Sequence, residues 1–239
     1  MLFFFRKPTI ELIAYIEDKH AIAFNHAPIR PAREFFPIWW KSTSSSHFNW
    51  DKMQQATTVK GCPGIINSLT SGFNLPFWCD LAIKYDKDNY HYIFSDGRSS
   101  ISEHIGAVQA PNFYKNYHII KLDSPWLIKS PVSLQYSYPF YYYADPLPYI
   151  TPPGVITPIN GLCSTNIFMF LEKTPHVNEV MIKQGTPAFN ILPLTEKTVT
   201  IRTEMVTSSE FTRLDGIYGN GTHFLLKGLR HMRLNNLKK

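Results

Sequence analysis

The chain has 239 residues, of which 44% are hydrophobic and 18% charged, and its formal net charge is +6. These values are typical of a globular protein and exclude wholesale disorder. The 17 Phe, 13 Tyr and 18 Pro, against only 12 Gly, favour strands joined by turns over a helical bundle.

The predicted strands are spread along the whole chain, at spacings of mostly 8–12 residues with turn residues between them. They cover residues 10–17, 21–24, 75–84, 90–94, 117–122, 126–129, 132–143, 166–172, 177–183, 187–194 and 198–206. Such spacing is typical of antiparallel sandwiches and barrels. We therefore predict a mainly β protein, an antiparallel β-sandwich or cupin-like jelly roll with a few short helices, forming a single domain over residues 1–239.

Residues 1–60 are predicted to form an N-terminal extension of this domain. Pro31 and Pro37 bracket a short helix, and the serine-rich stretch Lys41–Asn49 predicts a mobile loop, a candidate linker or lid. A second short helix is predicted to begin at Pro63 and to stop at Gly72. From Leu75 to Lys84 the alternation places Cys79 on the core face and Trp78 with Asp80 on the other face.

Residues 207–239 form a basic C-terminal segment, in which residues 224–237 could be helical. Its cations include Lys227, Arg230, Arg233, Lys238 and Lys239. Two alternatives are open for this segment: a solvated tail, or a contact with nucleic acid or an assembly.

Compartment and membrane contact are predicted from the cysteines and the apolar runs. Cys62, Cys79 and Cys163 are too few and too scattered for a disulfide framework or a zinc site, which favours free thiols in a reducing compartment. The apolar run at the start of the chain is too short for a signal peptide, and no stretch approaches the roughly 20 apolar residues of a membrane span. We therefore expect a cytosolic protein with no membrane partner.

Four groups of segments, taken together and in order, resemble a known family. They are Pro31–Lys41; Thr58–Ile65 with Ser71–Asp80; Leu122–Pro131; and Ile182–Pro193. The resemblance is to an uncharacterised family encoded mainly by tailed phages, cyanophages among them, and by some bacteria, and it covers about residues 28 to 200. The chain departs from the family pattern at His104, which is followed by Ile105 and not by proline. The resemblance implies a phage origin, in the host cytosol or the virion, and implies no activity.

A metal site is the first chemical hypothesis. Metal-dependent oxygenases commonly use two histidines and a carboxylate. Asp80, His91, His104 and His118 lie on or beside neighbouring predicted strands and could converge on Fe, Mn, Ni or Zn, although no His-x-His motif occurs. At each of the three histidine positions the default alternative is a side chain that binds no metal and is either hydrogen-bonded within the fold or exposed to solvent.

Other catalytic signatures are incomplete. Cys62 precedes a predicted helix, whose N-terminus could lower the pKa of a thiol, but no known cysteine-hydrolase motif surrounds it. Neither of the glycine-rich loops that cradle phosphates occurs. The catalytic residues are therefore left unknown.

A tyrosine-rich segment is the second candidate site. Its members are Tyr136, Tyr138, Tyr141, Tyr142 and Tyr143. An exposed aromatic cluster of this size would indicate a protein or carbohydrate partner. Our main hypothesis is a protein that acts by interaction, in virion assembly or against a host partner or by self-association, with no cofactor. The alternative is a cupin-like metal-dependent enzyme, with an oxygenase as the candidate activity.

Overall fold

The protein is mainly β and contains several antiparallel sheets, as the computed structural model shows for residues 8–103, 111–142 and 149–219. Its strands are β1 (Thr9–Glu17), β2 (Arg30–Pro31), β3 (Ser46–Asn49), β4 (Gln54–Thr57), β5 (Phe73–Pro76), β6 (Leu81–Tyr85), β7 (Tyr90–Phe94), β8 (Ile101–Glu103), β9 (Tyr117–Leu122), β10 (Trp126–Lys129), β11 (Leu134–Ser137), β12 (Tyr149–Ile150), β13 (Gly154–Ile156), β14 (Leu162–Ser164), β15 (Ile167–Glu172), β16 (Asn178–Ile182), β17 (Pro187–Pro193) and β18 (Thr198–Val206).

The helices are short, as the sequence predicts. They are α1 (Ala21–His26), α2 (Ile38–Ser42), α3 (Pro63–Thr70), α4 (Pro111–Tyr114) and a helix over residues 208–219. Single 3-10 turns cover Asp18–His20, Ala32–Phe35, Val59–Gly61 and Phe140–Tyr142.

The strands are arranged in four main sheets and one separate hairpin. The sheet orders are β14-β10-β1-β18, β13-β11-β17-β5-β2, β12-β15-β9-β8 and β16-β6-β7, and the hairpin is β3-β4. One pairing departs from the antiparallel prediction, because β1 and β18 run parallel from Thr9 opposite Thr198 to Glu17 opposite Val206. Both strands alternate in burial and are rich in β-branched residues, which suits extended backbone.

One hydrophobic core joins the four main sheets. It takes side chains such as Leu12 from the first sheet, Leu75 from the second, Ile120 from the third and Ile83 from the fourth, all fully buried. Each of these strands presents alternate residues to the core, in keeping with the period of two along an extended chain.

The helix over residues 208–219 covers the outer face of the first sheet. Leu214 packs there with Leu127 and Leu162, next to the partly buried Tyr15 and Phe211. The Thr207 side chain accepts a hydrogen bond from the Glu210 amide at 3.3 Å, which caps the first turn. The remainder of the predicted basic segment, including residues 224–237, lies outside the described residues.

Residues 21–24 were predicted as a strand, and that prediction is wrong. They belong to α1, where the Ala27 amide donates to the Ala23 carbonyl at 2.9 Å. Alanine has the highest intrinsic helix propensity, and the single buried residue of this segment, Ala23, needs no extended strand to reach the core.

The predicted strand over residues 75–84 is two strands that belong to different sheets. β5 ends at Pro76 and β6 begins at Leu81. Between them Phe77 exchanges backbone hydrogen bonds with the turn that precedes β17, donating to Thr186 and accepting from Gly185, each at 2.8 Å. The chain bends here from the second sheet to the fourth. Residues 77–80 belong to neither strand, and Trp78 and Cys79 are both buried in the same core cluster, so the prediction that they lie on opposite faces of one strand is wrong.

The serine-rich stretch Lys41–Asn49 is more ordered than predicted. It comprises the end of α2 and strand β3, which pairs with β4 from Ser46 opposite Thr57 to Asn49 opposite Gln54. Among the described helices, none is long and apolar enough to cross a membrane.

Candidate functional site

Asp80, the carboxylate of the predicted metal set, is engaged in holding a turn. One of its oxygens accepts a hydrogen bond from the Gln184 amide at 2.8 Å, and the other pairs with the Lys183 ammonium at 3.0 Å. The Gln184 bond first, and then Lys183, lower the pKa of the Asp80 carboxyl. Asp80 therefore fixes the loop between β16 and β17 against the corner that precedes β6.

His91 and His118 lie at the other end of the β6–β7 ladder. His91 is opposite Lys84, whereas Asp80 immediately precedes Leu81, which is opposite Phe94. The four residues from Asp80 to Lys84 correspond to about 13 Å of extended chain.

His118 is buried next to the hairpin turn of these strands. Its Nε2 lies 2.7 Å from the Asp86 carbonyl oxygen, and its ring meets the edge of Tyr90. His118 thus has a structural partner. The structure therefore separates Asp80 from the two histidines.

No group of three or more His, Cys, Asp or Glu side chains comes together as a possible metal site within residues 8–103, 111–142 and 149–219. His104 lies outside these ranges, so the complete predicted set stays untested. The two buried thiols stay protonated at neutral pH, because burial raises the pKa of Cys79 and of Cys163 to about 12. Cys62 is exposed at the start of α3.

The predicted tyrosine cluster is divided by the fold. Tyr136 is a core residue whose ring packs edge-on against Phe189, so this residue cannot offer its ring to a partner. Tyr138 and Tyr142 line a surface cleft with Phe140. The side chain of Tyr141 and the whole of Tyr143 lie outside what the structure describes.

This cleft, which we call the amide cleft, lies on the outer face of the second sheet. Its volume is about 210 Å³. Three polar residues on adjacent strands form one side, since Asn190 of β17 is opposite both Asn74 of β5 and Ser137 of β11. Phe35, Leu69 of α3 and the Phe140–Tyr142 turn supply the other walls. The cleft thus combines carboxamides and a hydroxyl with aromatic rings.

The polar groups of the amide cleft are strongly desolvated. Asn74 is only 6% exposed, and Asn190 Oδ1 is buried without a hydrogen-bond partner in the described part of the chain. Burial raises the pKa of Tyr138 to about 12 and raises that of Tyr142 as well. Both phenols therefore stay neutral at physiological pH.

A second surface was not found by the sequence reasoning. The segment over residues 38–60, which we call the aromatic arm, contains α2, the β3–β4 hairpin and the turn that follows. Its exposed apolar side chains are Ile38 (85% exposed), Trp50 (76%), Met53 (71%), Phe48 (44%) and Val59 (41%). Phe48 and Trp50 contact each other edge to face, with ring centroids 4.7 Å apart.

Hydrogen bonds within the arm close the base of its hairpin. The Thr58 hydroxyl donates to the Ser44 carbonyl at 2.6 Å, and the Thr58 amide donates to the Ser45 carbonyl at 3.2 Å. Trp40 stacks on Phe36 and lies under the Lys60 ammonium, which is 5.9 Å from the ring centroid. The exposed rings are thus presented on an ordered support.

The signal for the arm was present in the sequence. Phe48, Trp50 and Met53 are large apolar residues inside a polar, serine-rich stretch, where no neighbouring pattern offers a partner for them. Isolated apolar residues in such a stretch are candidates for surface exposure, whereas the serines alone suggested only a mobile loop.

Comparison of the chain with protein-family models, with curated proteins and with solved structures gave no match. The residues and their geometry are therefore the basis of any functional proposal.

Proposed function

We propose that this protein acts by binding another protein through its aromatic arm. The observation that carries the proposal is the exposure of Trp50 and Met53 at the tip of an ordered hairpin. Large apolar side chains, with tryptophan and aromatic residues foremost, supply most of the binding energy at protein interfaces.

The folded chain gains little from these side chains. In the described residues, β3 and β4 pair only with each other, and the side chains of Phe48 and Trp50 on this hairpin remain exposed. Met53 adopts φ of +49°, a left-handed conformation that costs a residue with a side chain about 1–2 kcal/mol. Neither the exposure nor the conformation of Met53 favours folding. The Met53 amide donates to the Trp50 carbonyl at 3.4 Å, so the two exposed residues belong to the same turn.

The charge of the arm indicates the chemistry of that partner. Residues 38–60 contain three lysines, Lys41, Lys52 and Lys60, and one acid, Asp51, a formal balance of 3 − 1 = +2. Such an arm complements an apolar groove with an acidic rim. A second copy of this chain, itself at +6, would be repelled, so we favour a different protein over self-association.

The resemblance to a tailed-phage family supports a biological setting for this interaction. In that setting the partner is a virion component or a host protein, met in the host cytosol or in the virion. Contact of the basic segment over residues 207–239 with nucleic acid is a separate prediction that its described residues do not address.

Site-specific photo-cross-linking in the cell that naturally expresses the gene tests the proposal. A benzophenone amino acid replaces Trp50 or Met53, and Val155 or Val177, both exposed apolar residues outside the arm, serves as the matched control. We expect one discrete protein adduct from both arm positions and none from the controls. Excess unlabelled wild-type protein should compete for the adduct, and the W50S/M53S variant should not.

Equal cross-linking from the arm and the control positions, or no adduct from either arm position, would contradict the proposal. An adduct of twice the protein's own mass would identify a second copy as the partner and would contradict the charge argument.

The alternative hypothesis is a cupin-like metal-dependent enzyme, which also requires that the sheets form a jelly roll. The enzyme activity and the jelly-roll fold both remain predictions. The separation of Asp80 from His91 and His118 places this hypothesis second. Elemental analysis of gently purified protein for Fe, Mn, Ni and Zn tests it, and a stoichiometric metal content would reverse the ranking.

A further inference from the structure

We propose that the amide cleft is a binding site for one neutral sugar ring. This site is distinct from the aromatic arm, and the inference does not depend on the proposed function. It concerns the chemistry of Asn74, Asn190 and Ser137 and of the aromatic walls beside them.

Charge and size limit the ligand first. None of the described residues that line the cleft is an Asp, Glu, Lys, Arg or His, so the site offers no counter-charge to an anion or a cation. A buried charge without a partner is strongly unfavourable, which favours a neutral ligand. The volume of about 210 Å³ is below the roughly 300–1,000 Å³ of pockets for drug-sized molecules and suits a single ring.

The asparagine pair then favours a hydroxylated ligand over an apolar one. Asn190 Oδ1 is buried and has no hydrogen-bond partner among the described residues, so an apolar occupant would leave it unsatisfied. A hydroxyl group both donates and accepts, and it can therefore satisfy either end of a carboxamide. Asn74 and Asn190 are directly opposite each other on paired strands, where side chains start about 5 Å apart. Neighbouring hydroxyls of one ring can thus reach both amides.

The aromatic walls account for the other half of such a ligand. A sugar ring carries hydroxyls around its edge and C–H groups on its faces, so it needs polar partners and an apolar surface at the same time. Tyr138, Phe140 and Tyr142 supply rings next to the amide pair. A ligand with one polar edge and apolar faces fits this arrangement.

Ligand-observed saturation-transfer NMR with the full-length protein tests the inference. The probes are glucose, galactose, mannose and N-acetylglucosamine at millimolar concentration, with adenosine and inorganic phosphate as competing chemistries. We expect saturable binding of at least one sugar, and no binding of phosphate. The sugar that binds is then compared with its methyl glycoside and with an oligosaccharide that ends in the same unit. Binding of these two would identify the end of a glycan as the ligand, and their failure to bind would identify the free sugar.

Variants locate the binding in the cleft. Asn190→Leu should weaken sugar binding about tenfold or more, which corresponds to the loss of about 1.4 kcal/mol, while the thermal unfolding transition is kept. Asn112→Leu, at an exposed asparagine outside the cleft, is the matched control. Should Asn190→Leu fail to fold, Ser137→Ala provides the milder change and should still weaken binding.

Several results would overturn the inference: binding of adenosine and of no sugar, no binding of any sugar, or sugar binding that Asn190→Leu and Ser137→Ala leave unchanged. The W50S/M53S variant of the arm should bind the sugar like the wild type. Failure of the arm proposal and failure of this one are therefore distinguishable.

Discussion

Two Phe–Trp pairs lie at opposite extremes of exposure in this protein. Phe77 and Trp78 stack in the core, each 1% exposed, and the Trp78 indole donates to the Ser99 hydroxyl at 2.7 Å. Phe48 and Trp50 contact each other on the arm and face solvent. The side chains have the same chemistry, so the number of layers around them determines their role. A corner between two sheets buries its rings, whereas a lone hairpin has nothing to bury them against.

Paired alanine substitutions provide the largest test of this contrast. Trp78→Ala should lower the free energy of unfolding by about 3–5 kcal/mol, because it leaves a cavity in the core. Trp50→Ala should change it by less than about 0.5 kcal/mol, as is usual for surface positions. Urea unfolding followed by circular dichroism measures both values. Similar losses in the two variants would show that the arm is part of the folded core.

Two glycines with positive φ, one packed against β17 and one in an open turn, offer a second comparison of the cost of substitution. Gly72, with φ of +73°, lies where an added Cβ would be 2.2 Å from the Ile191 carbonyl oxygen, at the start of the strand that leads to Phe77. Gly72→Ala should destabilise the protein by about 2–4 kcal/mol, through conformational strain and the clash together.

Gly97 is the matched control. Its φ is +60°, but an added Cβ would meet no atom within 4 Å. Gly97→Ala should therefore lower the stability by only about 1–2 kcal/mol. A cost for Gly72→Ala no larger than that for Gly97→Ala, measured by urea unfolding, would contradict the close approach to β17.

Acid stability should depend on the network that supports the buried pair. The Ser99 hydroxyl accepts a hydrogen bond from the Trp78 indole N–H and donates one to Asp96 Oδ2 at 2.6 Å. Burial raises the pKa of Asp96, but hydrogen bonds from the Ser99 side chain and from the Ser99 and Arg98 amides outweigh it, so the net pKa is lowered.

Because the pKa of Asp96 is lower in the folded chain than in the unfolded one, the resulting stability is fully present above the unfolded value near 4. It is lost as the pH falls through the folded value. Asp96→Asn should lower the free energy of unfolding at pH 7 by about 1–2 kcal/mol and should flatten its decline below about pH 5. Asp51→Asn, an exposed carboxylate on the arm, should unfold like the wild type at each pH. A decline in Asp96→Asn as steep as in the wild type would assign the acid sensitivity to other carboxylates.

Much of the secondary structure follows from local patterns. The alternation over 198–206 predicts β18 at its observed bounds, and Pro63 with Gly72 brackets α3, with Gly72 at positive φ as expected for a helix stop. Asp86 forms the predicted turn before β7, since its side chain accepts from the Asp88 and Asn89 amides at 2.8 Å. Such signals act over a few residues, and distant parts of the chain do not alter them.

The errors occur where distant contacts override the local pattern. Residues 75–84 alternate like one strand, but hydrogen bonds between Phe77 and the turn at Gly185–Thr186 bend the chain into a second sheet. The candidate sites follow the same rule. The tyrosine segment was found, but only the pairing of β5, β11 and β17 shows that Asn74, Ser137 and Asn190 share one cleft.

By itself, the sequence determined a mainly β chain with short helices, the bounds of its clearest strands and turns, and the absence of the common catalytic and phosphate-binding motifs. Those features depend on residue type and spacing within a few positions. Only the tertiary structure decided that Trp78 is core and Trp50 is surface, that β1 runs parallel to β18, and that two asparagines 116 positions apart in sequence, Asn74 and Asn190, are neighbours. The reason is physical: burial and strand pairing depend on which segments meet in space, and that information is distributed over the whole chain.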